Sequence, residues 1–192
     1  MEHGHTSSPF LDGTLLVASP SMMDPRFAGA VIFLCTHSDR GAMGLVINRP
    51  AEGVTFRDLA EQLDVAVTRP VPELPVLIGG PVERSRGFVL HSTDYVLDRS
   101  TLQINDWCSM TGHVTVLREL VRGLGPDRAI LALGYSNWGP GQLEEELRDS
   151  SWLMIEATQR LVFETEPEDV WSDCLALLGI NPAMLHSVAG RA

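Results

Sequence analysis

The sequence predicts an α+β protein built on one mixed, strongly curved sheet, and three observations carry that reading. Two or three strand-like runs precede the first helical stripe, so the order departs from the regular β-α-β alternation that builds a doubly wound parallel sheet. The most strand-like run, Ala129–Leu133, stands between two helical segments. No linker or low-complexity tract is long enough to divide the chain of 192 residues, which suits one domain. The expected organisation is a flexible tail at 1–9, a single domain at 10–185 and a short tail at 186–192.

Taken in order, Thr14–Ala18 is apolar enough for a first strand, followed by the proline-bracketed loop Ser19–Pro25. Ala30–Thr36, rich in branched and aromatic residues, and Met43–Asn48 read as a hairpin, with His37–Gly41 as its longer turn. Thr55 can cap a helix whose Phe56, Leu59 and Leu63 fall on one face. The prolines of Val65–Pro75 predict an irregular excursion. Val76–Ile78, Phe88–His91 and Leu102–Ile104 read as strands. Val114, Leu117, Leu120 and Val121 mark a helix closed at Gly123. Pro140 suits the start of a helix through Arg148, and Trp152–Ala157 reads as a strand. Thr165-Glu166-Pro167-Glu168 matches a capping box opening a last helix that Gly179 stops.

Charge and cysteine content narrow the function. The formal net charge is −11, from 14 basic and 25 acidic residues, and every basic residue is an arginine. Without lysine there is no Schiff base, no Walker lysine and no Ser-x-x-Lys pair. No stretch of sequence gathers several arginines, Arg84 and Arg86 being the nearest pair, so phosphate-backbone binding to nucleic acid is poorly served. Cys35, Cys108 and Cys174 are widely spaced and odd in number, which fits reduced thiols and argues against a disulfide framework or a zinc site. Met1–Pro9 has neither the basic start nor the apolar middle of a secretory signal, and no apolar run approaches a membrane span. A cytoplasmic protein, monomeric or weakly oligomeric, is the expectation.

Candidate chemistry is sparse. Gly134-Tyr135-Ser136-Asn137-Trp138 imitates a nucleophile elbow between a strand and a helix, but Trp138 stands where that turn needs a second small residue. A glycine-permitted turn with an incidental serine is the plainer account. Gly79-Gly80-Pro81 after a strand could present backbone N–H groups to an anion, or simply provide a tight strand exit. His37 and His91 stand at strand ends, where either could serve as a base or be a structural, hydrogen-bonded histidine. Strand alternation would put Cys35 on the same face as His37. Neither histidine has further ligands at metal spacing. Glu144–Glu146 with Asp149 reads as a solvated helix face.

Several ordered segments together resemble the AlgH (YqgE) family of bacterial proteins. They are Gly13–Ser19 with Met23-Asp24-Pro25, Cys35-Thr36-His37, Gly41–Pro50, Gly79–Val82, Val89-Leu90-His91, Gly134-Tyr135, Trp138–Glu144, Trp152-Leu153 and Trp171. The resemblance spans about residues 10–180. It implies a bifurcated sheet that partly closes into a small barrel surrounded by helices, and a cytosolic protein linked by family description to transcriptional regulation. The family usually has Ala-Gly where this chain has Ser136-Asn137, which argues against Ser136 as a nucleophile. No cofactor is expected. The family's motifs are mostly glycine, proline, tryptophan and apolar residues, and the polar exceptions point to a ligand or partner patch of His37, Asn48, Gly79, Gly80, His91, Trp138 and Gln142. The function expected is a non-enzymatic binding or regulatory module for a protein or a small ligand. The acidic runs would suit a basic partner. The alternatives are an enzyme using His37 or His91, and direct DNA binding, against which the charge balance weighs.

Overall fold

The computed structural model describes residues 10–63 and 73–181. The tails expected at 1–9 and 186–192 lie outside these residues, as does most of the proline-rich excursion. Among the described residues nine strands, β1 (Thr14–Ala18), β2 (Val31–Ser38), β3 (Gly41–Val46), β4 (Val76–Ile78), β5 (Val82–Ser92), β6 (Thr101–Gln103), β7 (Cys108–Thr111), β8 (Ala129–Trp138) and β9 (Trp152–Glu156), form one sheet in the order β6-β7-β5-β8-β3-β2-β1-β9, with β4 on a branch beside β8. β1 lies beyond the β2–β3 hairpin, on the β2 side, and pairs antiparallel with both β2 and the edge strand β9.

The branch point is β8 (Ala129–Trp138). Its first half pairs antiparallel with β5 (Val82–Ser92) and parallel with β4 (Val76–Ile78). Its last residues, Ser136–Trp138, pair instead with β3 (Gly41–Val46). β3 and β4 thus share one edge of β8, and the Val46 N–H donates to the Gly79 carbonyl at their junction. β6 (Thr101–Gln103) and β7 (Cys108–Thr111) complete the far edge.

The sheet curls into a half-barrel because both halves bury one face in a common core. Leu15, Val17, Phe33 and Leu45 from one half meet Phe88, Leu90, Cys108 and Ile130 from the other. A π-helical turn (Arg160–Glu164) and helix α4 (Pro167–Leu177) add Leu161, Val162, Val170 and Leu175 to the same core. On the outside, α1 (Phe56–Gln62) and α2 (Thr115–Arg122) cover Val76, Val89 and Leu131. Helix α3 (Gln142–Arg148) sets Leu143 against Leu34, Val46, Trp138 and Trp152 on the other outer face. Burying the outer faces as well as the inner one explains why β2 is a continuous apolar run rather than an alternating one.

Several expectations need correction. The hairpin turn is only Asp39-Arg40, because Ser38 pairs with Gly41, so His37 lies inside β2 rather than in a loop. Gly134–Trp138 is not a strand-to-helix turn but the continuation of β8, recruited by pairing with β3, and Ser136 is buried within it. β5 runs 11 residues, far beyond the four expected, and β7 lacked any sequence signal. Pro140 precedes α3 in a turn, with Gly141 at the cap. The capping box before α4 does not form: Glu166 rather than Thr165 stands at the N-cap, without a side-chain cap, and the Thr165 hydroxyl donates back to the Arg160 carbonyl. The capping box at Thr55 does form, with Asp58 as the reciprocal partner.

Candidate functional site

Two of the expected site residues organise one cleft. Trp138 ends β8 and Gln142 begins α3, and both line a cavity of about 360 Å³ with Phe27, Asn137, Glu146 and Trp152. Glu146 is its centrepiece. The Trp138 and Trp152 indoles each donate to Glu146 Oε2 at 2.8 Å, and the Gln142 amide donates to Oε1 at 2.9 Å. The two indoles meet edge to face at 6.0 Å between centroids, and Phe27 meets Trp152 in the same way at 5.6 Å. Gln142 also accepts from the Gly139 N–H, which fixes the turn between β8 and α3. Asn137, alternating outward from the sheet, is exposed at the rim. Rigid aromatic walls with a few oriented polar groups are what small-ligand sites share.

Through Arg26 and Pro81 this cleft adjoins a second pocket of about 140 Å³, lined also by Val46, Arg49, Ile78, Gly80 and Arg84. Three arginines distant in sequence therefore meet. Arg49 is locked by donating to the Arg26 and Ala28 carbonyls, and burial pulls its pKa below the usual arginine range. Arg26 pairs with Asp24 at 2.7 Å, which holds that carboxyl below its ordinary pKa.

Gly79 and Gly80 let the chain leaving β4 pass closely over β8 to reach β5 on its other edge. A Cβ on Gly79 would stand 2.4 Å from the Gly134 carbonyl oxygen, and one on Gly80 would stand 2.1 Å from the Tyr135 carbonyl carbon. The Gly79 N–H is already given to the Leu133 carbonyl. Asn48 braces the site from behind, accepting from the Val31 N–H and donating to the Gly29 carbonyl.

The two histidines lie apart from the cleft and from each other. His37 sits on the outer face of β2, where its Nδ1 accepts from the Leu11 N–H at 3.2 Å. That bond leaves the ring proton on Nε2, which donates to Glu144 at 2.9 Å. Its backbone N–H reaches Asp12, and Phe10 stands edge-on to the ring. His37 does not pair with Cys35: a β-bulge between Leu34 and Thr36 resets the alternation, so Cys35 faces the inner core while His37 faces outward. Burial raises the Cys35 thiol far above its ordinary pKa.

His91 is fully buried within a chain of donors. The Leu97 N–H gives to Thr101, and the Thr101 and Thr111 hydroxyls are 2.7 Å apart. The Thr111 hydroxyl meets His91 Nε2 at 2.9 Å, and Nδ1–H gives to the Ser92 carbonyl at 2.7 Å. Burial lowers the His91 pKa, so the ring is held neutral with both nitrogens satisfied.

Glu146 and the arginine pocket escaped the sequence reading. The acidic run looked like a solvated face, yet Glu144 and Glu146 turn inward to His37 and the tryptophans while Glu145 is exposed. The spacing of Trp138, Gln142 and Glu146, each four apart around a helix start, was the signal available.

The described residues form a curled-sheet α+β protein with an open, aromatic-walled surface cleft. The AlgH-like family model (DUF179) matches residues 15–183, and the chain belongs to that family. It is 50% identical over 183 residues to a UPF0301 protein of Jannaschia sp. (strain CCS1), covering 95% of each chain. It is 48% identical over 198 residues to one of Methylocella silvestris, covering 100% of this chain and 95% of that one. The solution structure of the AlgH protein from Pseudomonas aeruginosa is similar over 100% of both chains, with a TM-score of 0.78 and 38% identity. The crystal structure of protein DIP2367 from Corynebacterium diphtheriae shares the fold, at a TM-score of 0.70 and 24% identity over 92% of this chain and 90% of that one. No helix among the described residues is long and apolar enough to cross a membrane.

Proposed function

We propose that this protein is a ligand-responsive binding module whose site is the cleft between Phe27, Trp138 and Trp152, and that any regulatory role is indirect, through the bound state. The observation that carries the reading is the Glu146 carboxylate, which ties two indoles and an amide from three elements into a rigid wall around an open cavity. A wall fixed before binding lowers the entropy cost of ligand capture. A small ligand fits better than a basic protein partner, because Glu144 and Glu146 spend their carboxylates internally. Arg128 and Arg160 likewise engage Glu164 and Asp173 of the later acidic run.

The test is a thermal-shift screen of small organic ligands on the wild type and on Asn137→Trp, which fills the rim from an exposed position. Ligands that stabilise the wild type and lose that effect in Asn137→Trp are expected. Hits that stabilise both equally would place binding elsewhere. Tight, steeply salt-dependent binding to DNA would replace this reading with direct nucleic-acid recognition.

A further inference from the structure

We infer that the pocket beside the cleft, formed by Arg26, Arg49, Arg84 and Gly80, is an anion subsite that holds the phosphate or carboxylate group of the ligand. This rests on the adjoining cleft being a ligand site, and it names the class of ligand that cleft would take: a small organic anion.

Four features support it. In a chain of net charge −11, three of 14 arginines converge on a space of about 140 Å³, whereas chance placement on so acidic a surface would disperse them. Among the described residues of the two linings, the acids are Glu146 and Asp24, and Asp24 is already bound to Arg26. Glu146 faces the indoles on the far side of the cleft.

Two of the three guanidiniums are also positioned before any ligand arrives, Arg26 by Asp24 and Arg49 by main-chain carbonyls. Arg49 is half-buried and fixed by two carbonyls that satisfy one N–H on each terminal nitrogen, leaving its remaining donors for a guest. Holding a charge there, partly out of water, costs stability, which an arriving anion offsets. Arg84 is presented by the irregular stretch of β5 between Val82 and Gly87, where Glu83 adopts a positive φ of 45°. Its neighbour Arg86 is engaged by Glu83 and lies over the Phe88 ring, but Arg84 has no ion-pair or hydrogen-bond partner among the described residues.

The fourth feature is backbone. Gly80 is buried and lines the pocket, the next residue is proline, and the Gly80 N–H donates to no backbone carbonyl among the described residues. An amide N–H beside convergent guanidiniums supplies the short directional donor that complements their charge. The pocket volume suits a single tetrahedral or planar anionic group, and its shared wall with the cleft, Arg26 and Pro81, places the rest of such a ligand toward Trp138 and Gln142.

The test uses the full chain, labelled for backbone NMR and titrated separately with inorganic phosphate and with acetate. Chloride at matched ionic strength is the control. Saturable shifts of the Gly80 amide are expected, weakened about tenfold in Arg84→Gln, the loss of one charge-assisted contact. The exposed variant Arg86→Gln should leave the affinity within twofold. Saturation by phosphate alone assigns the subsite to phosphoryl groups, and saturation by both assigns it to anions generally. Equal affinity in wild type and Arg84→Gln, or no response at Gly80, overturns the inference. If cleft ligands still protect the wild type but not Asn137→Trp while Gly80 ignores every anion, only the anion subsite fails. If neither responds, both readings fail.

Discussion

Replacing Glu146 with alanine removes the one acceptor that serves both cleft indoles. Trp138 is 4% exposed and Trp152 is 3% exposed, so both indole N–H groups rely on this carboxylate. A buried donor left without a partner costs roughly 1–3 kcal/mol. Water can enter along the half-exposed Glu146 and exposed Gln142 side, which favours the lower part of that range. Two indoles at about 1.5 kcal/mol each give about 3 kcal/mol, or a fall in Tm of roughly 6–12 °C for a chain of this size. Glu146→Gln keeps a carbonyl acceptor but loses its charge, so about half that loss is expected. Urea denaturation followed by tryptophan emission measures all three proteins, with the exposed Glu145→Ala as control. A loss in Glu146→Ala under about 1 kcal/mol, no greater than in the control, would refute the claim that this carboxylate organises the cleft.

Three further outcomes follow from the geometry. Gly79→Ala places a methyl 2.4 Å from the Gly134 carbonyl oxygen and 2.9 Å from Ala132 Cβ, so a loss of about 3 kcal/mol or more is expected by denaturant titration. His91 titrates at a lower pH folded than unfolded, burial outweighing the opposing pull of Asp94 and the Ser92 carbonyl. Its contribution to stability is therefore full above about pH 6.5 and is lost as pH falls from there through the folded pKa. His91→Gln should flatten that part of a stability-versus-pH curve. Burial pushes the Cys108 and Cys174 thiols up to about 12, so alkylation at pH 8 should proceed only as fast as the protein opens, and should accelerate with urea.

The hairpin, the Thr55 helix and the apolar run of β8 were legible because each rests on local pattern: branched residues, a cap, a stripe. What the sequence hid was non-local. Gly134 and Ser136 look like a turn, and only pairing with β3 makes them strand. A single bulge at Cys35 inverts the face of His37, and bulges have no dependable sequence mark. Trp138 and Gln142 could be singled out as motif residues, but their purpose lies in Glu146 and Trp152. The arginine pocket draws on residues 26, 49 and 84, brought together where the chain passes from β4 over β8 to β5. His91 was singled out on the same grounds as Trp138, yet the fold encloses it in a hydroxyl chain.

The proposed site runs continuously from the indole cleft to the arginine pocket. A backbone and indole NMR perturbation map, recorded with a panel of organic phosphates and carboxylates, tests it most directly. At least one ligand is expected to shift Gly80, Val82, Asn137 and Gln142 together with the Trp138 and Trp152 indoles. A map confined instead to the groove between α1 and α2, at Leu59, Leu63, Val114 and Leu117, would contradict it.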